Sequence, residues 1–360
     1  MELYQWQKDL FFKWSDCGFR GTLQAVTGAG KTVAACECIR RYRTLYPKSI
    51  VWVITDYTDL KAQWEREPML DGVSDVHIFL YLASISEFEK LQLSGEPGLP
   101  DLLIVDECHH AEAPVWSKIL RKGVKHVLGM SATPGYTENL IGPVIEKVGF
   151  DRAIVSPVTT HLITYNLSES QARTYSKHTD AMRRYQSDYN QYATFVNDAV
   201  YRTLVLKRKK FLQSTPQRFK IALDAVKRNL GRRTMVFFTT QKQLEDFSKM
   251  LNAEGISHAR HHSKCREIDK FTSHSTDILL SINMVATGFS DDTVEVGIMV
   301  SYAQSHRENI QRVGRILRAK EGKHADVYYI IANGTTDDEI ISSRNQLFPP
   351  GTTQVEEWKA

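Results

Sequence analysis

Five short apolar runs, at residues 22–26, 49–54, 77–82, 102–105 and 126–130, punctuate the first third of the chain, and the stretches between them carry polar positions at helical spacing. Runs that stay apolar on consecutive residues predict strands buried on both faces, and their alternation with helices predicts a parallel sheet with crossover connections. The segment Glu96-Pro97-Gly98-Leu99-Pro100 reads as a surface loop within this series. From about residue 167 to 230 the strand signal stops. Tyr185, Tyr189, Tyr192 and Val196 recur there at helical spacing in a polar background, which fits the packing seam of a helical hairpin better than a platform on which bases stack. The strand rhythm returns at 234–238, 277–282, 294–300 and 326–331, and after Ile341 the chain turns polar around Pro349-Pro350-Gly351. The pattern predicts an α/β protein with two parallel-sheet lobes, residues 1–155 and 219–345, a helical linker or insertion over 156–218, and a short tail over 346–360.

A length of 360 residues suits two domains, and 42% hydrophobic with 24% charged residues excludes a disordered or fibrous chain. No apolar run approaches the roughly 18 residues of a membrane span, and Met1-Glu2-Leu3-Tyr4-Gln5 lacks the secretory pattern, so a cytoplasmic protein without a membrane partner is expected. The five cysteines, without Cys-x-x-Cys spacing, read as free thiols. A net charge of +4 says little by itself; its distribution says more. Between Arg202 and Arg233 lie Lys207, Arg208, Lys209, Lys210, Arg218, Lys220, Lys227, Arg228 and Arg232, against the single acid Asp224. That stretch is either a phosphate-facing surface or a solvated helix face.

The chemistry is concentrated at strand ends. Ala25-Val26-Thr27-Gly28-Ala29-Gly30-Lys31-Thr32 follows the first apolar run and opens a helical stretch. In that context glycines let backbone N–H groups approach a triphosphate closely, Lys31 neutralises its β/γ-phosphates, and the Thr32 hydroxyl ligates Mg²⁺. Further on, Leu102-Leu103-Ile104-Val105 delivers Asp106-Glu107-Cys108-His109-His110. Two adjacent acids at a strand end suit nucleotide hydrolysis, with Asp106 holding Mg²⁺ and Glu107 orienting and deprotonating water. A metal site at Cys108-His109-His110 is the weaker reading, because residues on one turn do not readily supply a tetrahedral set.

With these two motifs in place the chain resembles the superfamily 2 helicases, whose other signatures follow in order. Leu3-Tyr4-Gln5-Trp6-Gln7 resembles the amino-terminal element in which a glutamine, here Gln7, reads adenine. Leu60-Lys61-Ala62-Gln63-Trp64 is similar to the segment after motif Ia, although Thr55-Asp56-Tyr57 departs from the usual Val-Pro-Thr. Ser131-Ala132-Thr133-Pro134 resembles motif III and Val236-Phe237-Phe238-Thr239 motif IV, with His262, Arg266, Ile268 and Phe271 at the spacing of the next element. Ala286-Thr287-Gly288-Phe289-Ser290-Asp291 is similar to motif V, with Ser290 where many relatives carry aspartate. Gln311-Arg312-Val313-Gly314-Arg315-Ile316-Leu317-Arg318 resembles motif VI, and on a helix Gln311, Arg315 and Arg318 share one face.

The resemblance is closest to the group holding XPB, RadD, phage UvsW-type helicases and restriction-enzyme motor subunits. It implies two RecA-like lobes with ATP and Mg²⁺ in the cleft between them, and a motor stepping on nucleic acid. DNA is favoured, single-stranded or branched, and a monomer is expected. It implies ATP binding by Gln7, Thr27, Gly28, Ala29, Gly30, Lys31, Thr32 and Gly288, and catalysis by Glu107, Gln311, Arg315 and Arg318. Arginine fingers of this kind are worth about 10³ to 10⁵ in rate. It further implies coupling through His109, Ser131 and Thr133, and nucleic-acid contacts from Tyr57, Ser84, Thr239, His262 and Thr287, which the basic residues Lys207, Arg208, Lys209 and Lys210 would join. Two other readings stay open: a translocase that does not separate strands, and an ATP-binding clamp without useful turnover.

Overall fold

A computed structural model of the protein describes residues 3–26, 28–115, 117–149, 152, 156–188, 199–282, 291–302, 312–314, 316, 322–338 and 352–359. The chain divides into two compact units, the first built on Met1–Val155 and the second on Ser156–Asn283, Asp292–Asn309 and Lys320–Ala360.

The first unit runs α1 (Gln5–Asp16), β1 (Arg20–Ala25), α2 (Lys31–Leu45), β2 (Val51–Thr55), α3 (Thr58–Glu65), β3 (Val76–Leu80), α4 (Tyr81–Ser94), β4 (Leu102–Asp106), β5 (His126–Ser131), α5 (Glu138–Ile141) and β6 (Val144–Val148). Its six strands lie in the order β3-β2-β4-β5-β1-β6, and every pairing is parallel. The central strands are apolar on consecutive residues because each face has its own core. Val51, Val53, Leu102 and Ile104 pack with Trp14, Tyr42 and Trp64, whereas Trp52, Ile54, Leu103 and Val105 pack with Phe88 and Ile119 on the other side. This two-residue period carries to the last residue of β4, so Asp106 continues the Ile104 face, toward α2 and Trp64.

The second unit runs β7 (Val158–Tyr165), α6 (Glu169–Asp188), α7 (Ala199–Leu212), α8 (Pro216–Arg228), β8 (Thr234–Phe237), α9 (Gln241–Ala253), β9 (Ala259–His262), β10 (Cys265–Arg266), α10 (Ile268–Thr272), β11 (Ile278–Ser281), β12 (Val296–Met299), β13 (Ala325–Ala332) and β14 (Thr352–Glu357). The strand order is β10-β9-β11-β8-β12-β13-β7-β14, parallel except for the β9–β10 pair.

Nine of these strands coincide with the apolar runs; the differences fall on strands whose sequence is polar. The stretch 156–218, expected to be a helical linker, opens with β7 inside the second sheet before it becomes helical. Thr159, Thr160 and His161 break its apolar run, yet β7 is flanked by β13 and β14 over most of its length. The tail expected to be a turn-rich appendage supplies β14, a polar strand at the sheet edge, where one flank meets water. Helices α6 and α7 pack on each other, and Gln186 donates to the Tyr201 hydroxyl at 2.8 Å between them, as a helical hairpin requires. Of the tyrosine stripe, Tyr189, Tyr192 and Val196 lie outside the described residues.

A buried ion pair fixes the second unit. Arg218, fully enclosed, pairs with Asp337, donates to the Val300 carbonyl at 3.0 Å, and lies between the rings of Tyr165 and Tyr302. Asp337 in turn accepts from the Ala332 amide at 3.1 Å. Arg218 therefore leaves the basic surface to which the charge count assigned it. Lys227 pairs with Glu254, Arg228 with Glu356 and Arg232 with Asp326, and Arg233 is buried over the Phe271 ring. Lys207 and Lys210 remain exposed on α7, while Arg208 lies over the Tyr175 ring.

Candidate active site

The turn between β1 and α2 reverses the chain with two left-handed glycines, Gly28 at φ 87° and Gly30 at φ 89°, which no L side chain adopts cheaply. A Cβ on Gly30 would also stand 2.7 Å from the amide nitrogen of Gln7. That amide explains the crowding: its nitrogen donates to the Gly30 carbonyl at 3.1 Å, and its oxygen accepts from the Tyr4 amide at 3.0 Å. Gln7 is thus a buried strut between α1 and the loop. The Lys31 ammonium folds over the loop and donates to the Ala25 carbonyl at 3.1 Å. Thr32 follows in the first turn of α2. Thr27 lies outside the described residues.

At the end of β4 the two acids take separate environments. Asp106 is buried and accepts from the indole N–H of Trp64 at 3.0 Å and from the Glu107 amide at 3.0 Å. Burial and the neighbouring Glu107 charge push its carboxyl above the usual range. Glu107 itself adopts φ 46°, an uncommon conformation for a residue with a side chain, which turns the chain out of the strand. Burial raises its carboxyl too, but the Lys31 charge, His109 and His110 outweigh that and hold it below the ordinary value. Glu107 is the more acidic member of the pair.

A hydrogen-bond hub sits beside it. Ser131, the last residue of β5, directs its hydroxyl toward Glu107 Oε2 at 3.4 Å and accepts from the Thr133 amide at 3.1 Å. His109 Nδ1 lies 3.0 Å from the same hydroxyl and 3.3 Å from Glu107 Oε2. All three residues expected to couple the site are therefore in one network with the Glu107 carboxylate. They arrive there because β4 and β5 are parallel neighbours whose ends fall at the same level, Asp106 opposite Met130.

Cys108 is fully buried, and burial pushes its thiol well above the usual range. Among the described residues no three His, Cys, Asp or Glu side chains converge to hold a metal. The donor set fits a hard cation that takes one or two protein oxygens and completes its shell with phosphate and water, as Mg²⁺ does.

Trp64 was not legible as a site residue: only the packing of α3 beside β4 shows that its N–H reaches Asp106. Some expected nucleic-acid contacts lie elsewhere. Ser84 is fully buried and its hydroxyl donates to the Tyr81 carbonyl of its own helix at 2.6 Å, which withdraws it as a surface contact. His262 is buried, accepts from the Lys264 amide at Nδ1 and faces Glu245 through Nε2 at 2.9 Å, which withdraws it likewise. Thr239 is half-buried, with its hydroxyl 3.0 Å from the Gln213 amide oxygen and 3.1 Å from that of Gln243. Tyr57 is half-buried at the start of α3. Thr287, Gly288, Gln311, Arg315 and Arg318 lie outside the described residues.

Comparison with known proteins gives two matches in chain order. Residues 1–71 and 73–136 match the family described as type III restriction enzyme, res subunit, and residues 217–320 match the helicase conserved C-terminal domain. The chain is 24% identical over 262 residues to the DNA repair helicase/translocase XPB-R of Trypanosoma brucei brucei, covering 68% of this chain and 32% of that protein. It is 21% identical over 367 residues to the DNA 3'-5' translocase XPB2 of Sulfurisphaera tokodaii, covering 91% of this chain and 81% of that one. The chain spans about half the length of other curated relatives it matches, 54% and 56%. The solved structure of the ATP-dependent type ISP restriction-modification enzyme LlaBIII bound to DNA aligns over 100% of this chain and 31% of its own, with TM-score 0.69 and 14% identity. Both units have the RecA-like parallel-sheet fold. The two family matches and the curated relatives support a superfamily 2 helicase/translocase. Within that class it resembles XPB.

Proposed function

We propose that the protein is an ATP-dependent DNA helicase/translocase. The observation that carries this reading is the network in which Glu107, His109, Ser131 and Thr133 meet at the ends of β4 and β5, since a phosphate loop alone supports binding and not turnover. Lys31 and the backbone of 28–32 bind the phosphates, and Thr32 and Asp106 would hold Mg²⁺, which would neutralise phosphate charge. Glu107, held ionised, orients the attacking water and accepts its proton. Ser131 and His109 fix that carboxylate from one side. For Gln7 to read adenine it must exchange the Gly30 carbonyl for the base, which would link nucleotide binding to the shape of the loop. Thr27, Gly288, Gln311, Arg315 and Arg318 belong to the same proposal through the order of their motifs, the two arginines supplying positive charge to the transferring phosphoryl group. The names of the relatives support DNA as the track; we further propose a monomer acting in the cytoplasm on single-stranded or branched substrates. Among the described residues no helix is long and apolar enough to cross a membrane.

Hydrolysis of ATP measured alone and with single-stranded DNA, duplex DNA and RNA tests the reading. Stimulation by DNA is expected; a rate indifferent to every nucleic acid refutes it. Replacing Lys207, Arg208, Lys209 and Lys210 together is expected to weaken DNA binding and flatten its salt dependence, by about 0.7 in logarithmic slope for each charge that meets a single-strand phosphate. An unchanged slope would assign α7 to a solvated face.

A further inference from the structure

Where Thr55-Asp56-Tyr57 departs from the family pattern, the structure places a carboxylate that has no access to water. The Asp56 side chain is fully buried at the end of β2. Its neighbour is His110, whose Nε2 lies 2.8 Å from Oδ2. Burial pushes the Asp56 carboxyl up and His110 opposes that, so the two depend on each other. The His110 ring lies against the His109 ring, centroids 4.1 Å apart, and His109 touches both Ser131 and Glu107. At the other end of the same short segment, Trp64 donates to Asp106. The stretch from Asp56 to Trp64 thus grips the turn bearing the two acids at two points, one beside each acid.

We infer that Asp56 is a positioning residue: through its pair with His110 it ties the segment following β2 to the hydrolytic turn, so that nucleic acid meeting that segment accelerates ATP hydrolysis. The inference rests on the reading under Proposed function and adds a second line of coupling to the one through Ser131 and Thr133. The physical case is that a buried carboxylate beside a half-exposed imidazole has one favourable arrangement. A shift of α3 that moves Asp56 therefore moves His110, and with it the ring packed on His109.

The test is a comparison of Asp56→Asn, His110→Gln and the double variant with the wild type, reading kcat and KM for ATP with and without single-stranded DNA. Each single substitution is expected to lower the ratio of DNA-stimulated to unstimulated kcat about tenfold, with KM near wild type, and the double variant is expected to lower that ratio no more than either single one. A purely structural role would lower both rates together, and independent roles would multiply in the double variant; either result overturns the inference, as does stimulation retained in both single variants. His110 is partly exposed, so His110→Gln keeps the test open if Asp56→Asn fails to fold. A wild type that no nucleic acid stimulates overturns this inference and the proposed function together, whereas a stimulated wild type with stimulated variants overturns this inference alone.

Discussion

Glu107→Gln is expected to leave nucleotide binding intact and to lower turnover by about 10² to 10⁴-fold, the range a positioned general base contributes. The substitution keeps the shape of the side chain and removes the charge that faces His109 and the Ser131 hydroxyl. Binding persists because the loop contacts are made by backbone and by Lys31, on the other strand end. An equilibrium titration with a fluorescent ATP analogue, paired with a steady-state phosphate assay, separates the two effects. Wild-type turnover in the variant would take the role of base away from Glu107. Weak binding together with slow turnover would instead show that the carboxylate maintains the loop.

Arg218→Met is expected to destabilise the second unit by about 3 to 5 kcal/mol, because it leaves Asp337 charged and enclosed with no counter-ion. The Val300 carbonyl also loses its donor. The guanidinium is held charged although burial alone would lower its affinity for a proton; Asp337 outweighs that. Removing both charges with Arg218→Met and Asp337→Leu should restore part of the loss, since the cost lies in the stranded carboxylate more than in the absent pair. Hydrogen exchange in β7 and β13 under mild denaturant reports on this unit directly. If exchange there is unchanged in Arg218→Met, the pair contributes little.

The phosphate loop and the acid pair were legible because their chemistry is local: glycines, lysine and acids stand within a few residues of a strand end, and the strand is announced by its apolar run. The partners that tune them were not, because they come from distant positions. Trp64 reaches Asp106, and Asp56 reaches His110, only after β2 and β4 have become neighbours. The charge count over 202–233 misled for the same reason. Within that window there is one acid, but folding brings in Glu254, Asp326, Asp337 and Glu356 to meet Lys227, Arg232, Arg218 and Arg228. Ser84 and His262 show the converse: motif position pointed outward, while burial and a local acceptor hold each side chain inside. Strands β7 and β14 escaped notice because threonine, histidine, glutamine and glutamate interrupt any run long enough to signal a strand.

The pairing of β14 with β7 has a consequence for how the protein is made. Every strand of the first sheet has been synthesised by Val148, so that sheet can form while the rest of the chain is still emerging. The second sheet begins with β7 and cannot be completed until Glu357 has been added, because β7 lies between β13 and β14. At about 5 to 20 residues per second that interval is roughly 10 to 40 s. For most of that time both flanks of β7 wait without a neighbour, because β13 ends only at Ala332, and the polar residues that hid the strand from its apolar pattern also make it a poor template for pairing with another chain.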